Sequence, residues 1–134
     1  MNMNSTKHHV AVWLDHQEAR VFRIGPDGFD ESTLKNPAHH VRRHPDKNAA
    51  GSDHPDDAKH FFHAISTALF AADEILVVGP STAKLHFIKY VHAHAPELEK
   101  HIIGVESVDH PTDGQMATFA RKYFIAVDRV LAAS

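Results

Sequence analysis

The sequence predicts an α/β domain in which a five-stranded mixed sheet, in the order β-β-β-α-β-α-β-α, carries helices on both faces. Three observations predict it. Two strand-like runs near the start are separated by tight turns. Two short apolar runs follow later, as parallel strands covered on both faces require. Stretches between and after them repeat apolar residues at three- and four-residue spacing, the period of a helix with one buried face. A chain of 134 residues builds one hydrophobic core rather than two, so a single domain is expected over 10–134, behind an N-terminal tail of 1–9.

The elements follow in order. His9-Val-Ala-Val-Trp-Leu14 is β-branched and aromatic, and Glu18-Ala-Arg-Val-Phe-Arg-Ile24 alternates charged with apolar residues. Asp15-His16-Gln17 joins them as a hairpin connection. Gly25-Pro-Asp-Gly28 makes a second turn, which implies a third antiparallel strand within 29–43, interrupted by Pro37 and charged at its end, features an edge strand tolerates. Residues 44–57 carry no apolar side chain larger than Ala apart from prolines and predict an exposed, His-rich loop.

A helix then places Ala58, Phe61, Phe62, Ile65, Ala68, Leu69 and Ala72 on one stripe, with Asp53 as its cap, Pro55 near its first turn and Asp56 and Asp57 favourable to its dipole. Glu74-Ile-Leu-Val-Val78 predicts a central strand. A second helix over 82–94 is expected to bury Leu85, Phe87, Ile88 and Val91, and Pro96 ends it ahead of one helical turn at 97–100. Ile102-Ile-Gly-Val105 predicts another buried strand. A third helix from about Thr112 to Phe124 or beyond packs Met116, Phe119, Ala120, Tyr123 and Phe124. This element order is that of the ribonuclease H-like fold.

Composition narrows the function classes. The chain is 43% hydrophobic and 23% charged, an ordinary globular balance. Its longest apolar run falls far short of the ~20 residues a membrane span needs, and no membrane partner is expected. It has no Cys, which excludes disulfides, thiolate metal sites and a cysteine nucleophile. A cytoplasmic protein is expected. The chain is histidine-rich, with 14 His against 14 Lys and Arg, so protonating all of them would carry the formal charge from -3 to +11.

Five constellations are candidates for chemistry. A metal-dependent nuclease of this fold would need carboxylates converging from strand ends, and Asp15, Glu74, Asp109 and Asp113 are the available ones. Asp15 lies in a turn and Glu74 at the opposite end of its strand, so they do not assemble. Among histidines, His39, His40 and His44 cluster after the third strand and His60 and His63 share a helical face, but no zinc spacing is matched. Thr112-Asp-Gly-Gln115 matches a helix capping box. Gly79-Pro-Ser-Thr82 joins a strand to a helix, where free amides can hold an anion, although most such turns only connect elements. No cofactor and no metal is expected, and no residue is assigned a catalytic role.

The remaining constellation is basic. Between Lys35 and Lys47 stand Lys35, Arg42, Arg43 and Lys47 against Asp46 alone, a local +3 in a chain of net -3, and His39, His40 and His44 add donors. Such a segment suits contacts to a phosphate backbone, which are electrostatic and largely blind to sequence. A charged, solvated edge strand would carry the same residues.

From Val10 to about Phe124 the chain resembles the small bacterial translational machinery proteins, themselves similar to the middle domain of archaeal and eukaryotic class 1 peptide release factors and of Pelota. The stretches that carry this resemblance are Val12-Trp-Leu-Asp-His-Gln-Glu-Ala-Arg-Val-Phe22, Glu74-Ile-Leu-Val-Val-Gly-Pro-Ser-Thr-Ala-Lys84 and Gly104-Val-Glu-Ser-Val-Asp-His-Pro-Thr-Asp-Gly-Gln115. The resemblance implies the same element order. It also implies that the Gly-Gly-Gln loop of release factors falls between the third strand and the first helix. Here that interval, Arg42 to Asp57, holds no Gly-Gly-Gln, and the chain's Gly-Gln at 114–115 comes two strands later.

The expectation is therefore a non-catalytic, ribosome- or RNA-associated accessory protein. Its RNA-binding residues would be Lys35, His39, His40, Arg42, Arg43, His44 and Lys47. A metal-dependent hydrolase of the same fold is the first alternative. A homo-oligomeric regulatory module, using the edge strand and the apolar tail Ile125-Ala-Val-Asp-Arg-Val-Leu131, is the second.

Overall fold

The computed structural model describes residues 7–37 and 55–133. Five strands form one sheet in the spatial order β3-β2-β1-β4-β5. They are β1 His9–Leu14, β2 Glu18–Ile24, β3 Phe29–Lys35, β4 Glu74–Gly79 and β5 Ile102–Ser107. The helices are α1 Pro55–Ala68, α2 Ala83–His94, the single turn α3 Pro96–Glu99, and α4 Asp113–Ala133. Among the described residues no helix is long and apolar enough to cross a membrane.

The first three strands are antiparallel, with His9 opposite Ile24 and Glu18 opposite Lys35. β4 then pairs parallel to β1, and β5 parallel to β4. β1, β4 and β5 consequently end at one edge of the domain, here called the rim, and begin at the other, the base. β1 and β4 are buried along their whole length because each has a strand on both sides and side chains on both faces covered.

Side-chain alternation divides the core in two. Val10, Val12, Leu14, Ile75 and Val77 face α1 and α2, packing on Phe61, Phe62, Ile65, Leu69, Phe87 and Val91. Ala11, Trp13, Phe22, Leu76 and Val78 face α4, against Met116, Ala117, Ala120 and Phe124. The ribonuclease H-like prediction of helices on both faces holds. The step from β4 outward to β5 passes through α2 on the same face as α1, and α4 alone returns across the other face.

Several local expectations are corrected. β3 ends at Lys35, so Pro37 follows the strand rather than interrupting it. Ile102 to Val105 was expected to form a buried strand, yet β5 is half-buried or exposed throughout, because it is the outer strand beyond β4. Leu85 is 51% exposed, since α2 buries the positions of Phe87 and Val91, four apart, and Leu85 points away from that row. Phe119 is 37% exposed, lying beside the buried row Met116, Ala120 and Phe124 rather than on it. Asp53, expected to cap α1, lies outside the described residues, and α1 begins at Pro55.

Two glycines allow close approaches. A Cβ on Gly79 would collide with the Leu14 carbonyl oxygen, so β1 and β4 can close at the rim only with glycine there. Tyr123 of α4 lies directly on Gly104 and donates its hydroxyl to Glu106 Oε2 at 3.0 Å.

Candidate functional site

The rim gathers the turns that follow β1, β4 and β5. The amides of Gln17 and Glu18 donate to Asp15 Oδ1 at 2.8 and 2.9 Å, so this carboxylate organises its own turn. Thr112 and Gln115 form the predicted capping box: the Gln115 amide donates to Thr112 Oγ1 at 3.1 Å, and the Thr112 amide to Gln115 Oε1 at 3.0 Å. The Arg20 guanidinium lies 4.6 Å from the Trp13 ring and donates to Asp113 Oδ1 at 2.7 Å and to the Pro111 carbonyl at 3.0 Å. Trp13 Nε1 donates to the Asp109 carbonyl at 2.6 Å, and the His110 ring sits 5.0 Å from the indole. An open cavity of about 410 Å³ lies beside this group, lined by Val108, Asp109, His110, Pro111, Met116 and Phe119.

The four carboxylates weighed for a nuclease therefore serve separate purposes. Asp15 holds a turn and Asp113 pairs with Arg20. Asp109 lies 2.8 Å from the exposed His110 Nδ1, and Glu74 is at the base. Nor do the described histidines weighed for metal converge on one another: His60 and His63 are exposed on α1. At the 79–82 turn, Thr82 makes no side-chain cap. Lys84, buried behind it, donates to the Ser81 carbonyl at 2.7 Å.

Of the seven residues assigned to RNA, Lys35 is described. It is 75% exposed and reaches Glu18 Oε1 at 2.6 Å, a surface pair that exchanges readily for another anion. His39, His40, Arg42, Arg43, His44 and Lys47 lie outside the described residues. The two ends of their interval are described. The Asn36 amide donates to the Gln17 carbonyl at 2.9 Å, and its side-chain amide to the His16 carbonyl at 2.9 Å. These bonds pin the end of β3 to the β1–β2 turn at the rim. α1 starts at Pro55 and delivers the chain to Glu74 at the base, so its first residue also faces the rim.

Sequence reasoning missed a cluster at the base. His9 Nε2 lies 3.2 Å from Asp128 Oδ2 and 3.3 Å from Glu74 Oε1, and Lys7 Nζ lies 3.0 Å from Glu74 Oε2. That hydrogen bond to Glu74 holds the Lys7 ammonium above the usual lysine range against a partly opposing desolvation. A signal was available. His9 is in phase with Ala11 and Trp13, Glu74 with Leu76 and Val78, and Asp128 continues the four-residue row of Met116, Ala120 and Phe124. Polar residues in phase with a buried stripe need partners.

The chain resembles proteins of known structure in its fold. No protein-family model matches it, and no curated protein matches its sequence. Its fold is shared with translation termination-like factors. Archaeoglobus fulgidus Pelota superposes at a TM-score of 0.64 with 18% identity, over 96% of this chain and 36% of that one. Thermoplasma acidophilum Pelota gives 0.58 with 22% identity, over 84% and 31%. The archaeal translation termination factor aRF1 gives 0.57 with 13% identity, over 93% and 40%. The chain thus spans between 31% and 40% of the length of these structures. The sequence resemblance pointed to the same group of proteins.

Proposed function

We propose that this chain is a non-catalytic accessory module related to translation factors, which docks on ribosomal RNA through the basic segment from Lys35 to Lys47. The observation that supports this reading is where the described residues on either side of 38–54 lie. The chain leaves the sheet at Asn36 and Pro37 beside the β1–β2 turn and is next described at Pro55, at the rim end of α1. The likeness to release factors implies that their reactive Gly-Gly-Gln loop occupies this interval. Here the interval carries Arg42, Arg43 and Lys47 and no Gly-Gly-Gln. Cationic side chains suit phosphate neutralisation.

Arg42 and Arg43 would contact phosphates, Lys35 and Lys47 would add charge, and His39, His40 and His44 would donate when protonated. Co-sedimentation with ribosomal particles tests this. The double variant Arg42→Ala with Arg43→Ala should leave the particles at low salt. Its remaining RNA affinity should show a log–log salt slope shallower by about 1.5 to 2. Unchanged sedimentation and slope would reject the surface.

A further inference from the structure

Among the described residues, one group of histidine and carboxylate donors converges: His9, Glu74 and Asp128, whose candidate donor atoms all lie within 4.8 Å of one another. Three distant parts of the chain supply them. His9 and Glu74 are the first residues of β1 and β4 and stand directly opposite each other in the parallel register. Asp128 arrives on α4, 119 residues from His9. The His9 ring is fixed edge-on against Phe124, 4.8 Å between centroids, and its side chain is 0% exposed, with Glu74 at 8% and Asp128 at 25%.

A proton satisfies this arrangement poorly. A hydrogen on Nε2 can serve one oxygen at a time, and Asp128 Oδ2, 3.2 Å away, is the hydrogen-bond partner of that nitrogen. Glu74 Oε1 is buried, faces the same nitrogen at 3.3 Å and accepts no hydrogen bond. Both separations exceed the ~2.7–2.9 Å of a charge-assisted N–H···O⁻ bond. The two separations are close to the ~3.3 Å edge of a tetrahedron whose centre lies ~2.0 Å from imidazole nitrogen and carboxylate oxygen, and the two carboxylate oxygens, within 4.8 Å of each other, would close on a bound ion. One imidazole and two carboxylates are a donor set suited to zinc and neighbouring first-row divalent ions. Lys7, 41% exposed, holds the outer oxygen Glu74 Oε2 and stands 3.9 Å from Asp128 Oδ1, which leaves Oε1 and Oδ2 to face Nε2.

We propose that His9 Nε2, Glu74 Oε1 and Asp128 Oδ2 form a binding site for one zinc-like divalent ion, with water in the fourth position, that staples β1 and β4 to α4. Its role is structural: it lies at the base, at the opposite end of the sheet from Lys35 and Asn36, and it stands whether or not the segment from Lys35 to Lys47 binds RNA.

The test uses full-length, tag-free protein, because the many surface histidines bind metal weakly by themselves. Zinc titration calorimetry and cobalt absorption should show one tight equivalent with the visible bands of a four-coordinate ion, and zinc should raise the melting temperature. Asp128→Ala, on a partly exposed helical position, should lose the tight equivalent, the bands and the rise in melting temperature. His60→Ala with His63→Ala should keep all three. His9→Gln should behave as Asp128→Ala if it folds, and circular dichroism establishes that for each variant. The proposal is overturned if Asp128→Ala keeps the wild-type stoichiometry and melting shift, or if the wild type shows only weak equivalents that His60→Ala with His63→Ala removes.

Discussion

At the rim, Asp15, Thr112 and Gln115 satisfy amides two or three residues away and stay open to solvent. At the base, His9, Glu74 and Asp128 meet across more than a hundred residues and are largely closed off from water. Both ends are polar, and the difference lies in what each polar group costs to leave alone. A turn carboxylate that loses its amide finds water within reach. The buried Glu74 carboxylate in the base cluster finds little, so its partners must be delivered by the fold. The rim turns are thus held by bonds within a few residues, whereas the base ties together the elements that hold the sheet and its last helix.

The sharpest way to blur that contrast is Trp13, a rim-end residue with the character of the base: fully buried, with its indole N–H bonded 96 residues away. Trp13→Ala should cost about 4 kcal/mol in urea unfolding, while Trp13→Phe should recover most of it. A loss as small as that of a turn residue would place Trp13 with the rim. Next, Glu74→Ala removes a buried partner of both Lys7 and His9 and should cost about 3 kcal/mol, against about 1 kcal/mol for Asp15→Ala. Equal losses would dissolve the comparison. Thr112→Ala removes one half of the capping box and should cost about 1 kcal/mol, with α4 fraying first at its rim end in amide exchange.

The smallest effect is one of pH. Burial, then the hydrogen bond to Glu106, raises the Tyr123 phenol above its usual 10.0. The folded state therefore holds this proton more tightly than the unfolded chain. Its contribution is fully present below pH 10 and is lost as pH rises through the raised value. Tyr123→Phe should flatten that alkaline loss in melting temperature without altering the neutral-pH profile.

Much of this molecule was legible one element at a time. The stripe of Phe61, Phe62, Ile65 and Leu69 gave α1, the apolar run after Glu74 gave β4, and Thr112 with Gln115 gave the start of α4, because each signal resides within a few consecutive residues. Leu85 and Phe119 were misjudged for the same reason: an apolar side chain near a helical stripe has the right composition, and its azimuth on the helix decides whether it is covered. β5 looked buried because its first residues are apolar, and only the spatial order showed it to be the edge.

Sequence alone determined the order of strands and helices, the two faces on which the inner strands alternate, the absence of thiol chemistry and the basic character of residues 35–47. These follow from local backbone preferences and from side-chain periodicity, which need no distant partner. Tertiary structure decided that both ends of the 38–54 interval face the rim, and that His9, Glu74 and Asp128 share one buried pocket of charge. Pairing between residues 65 and 119 positions apart depends on parallel register and on the angle at which the last helix crosses the sheet. No window of neighbouring residues encodes either.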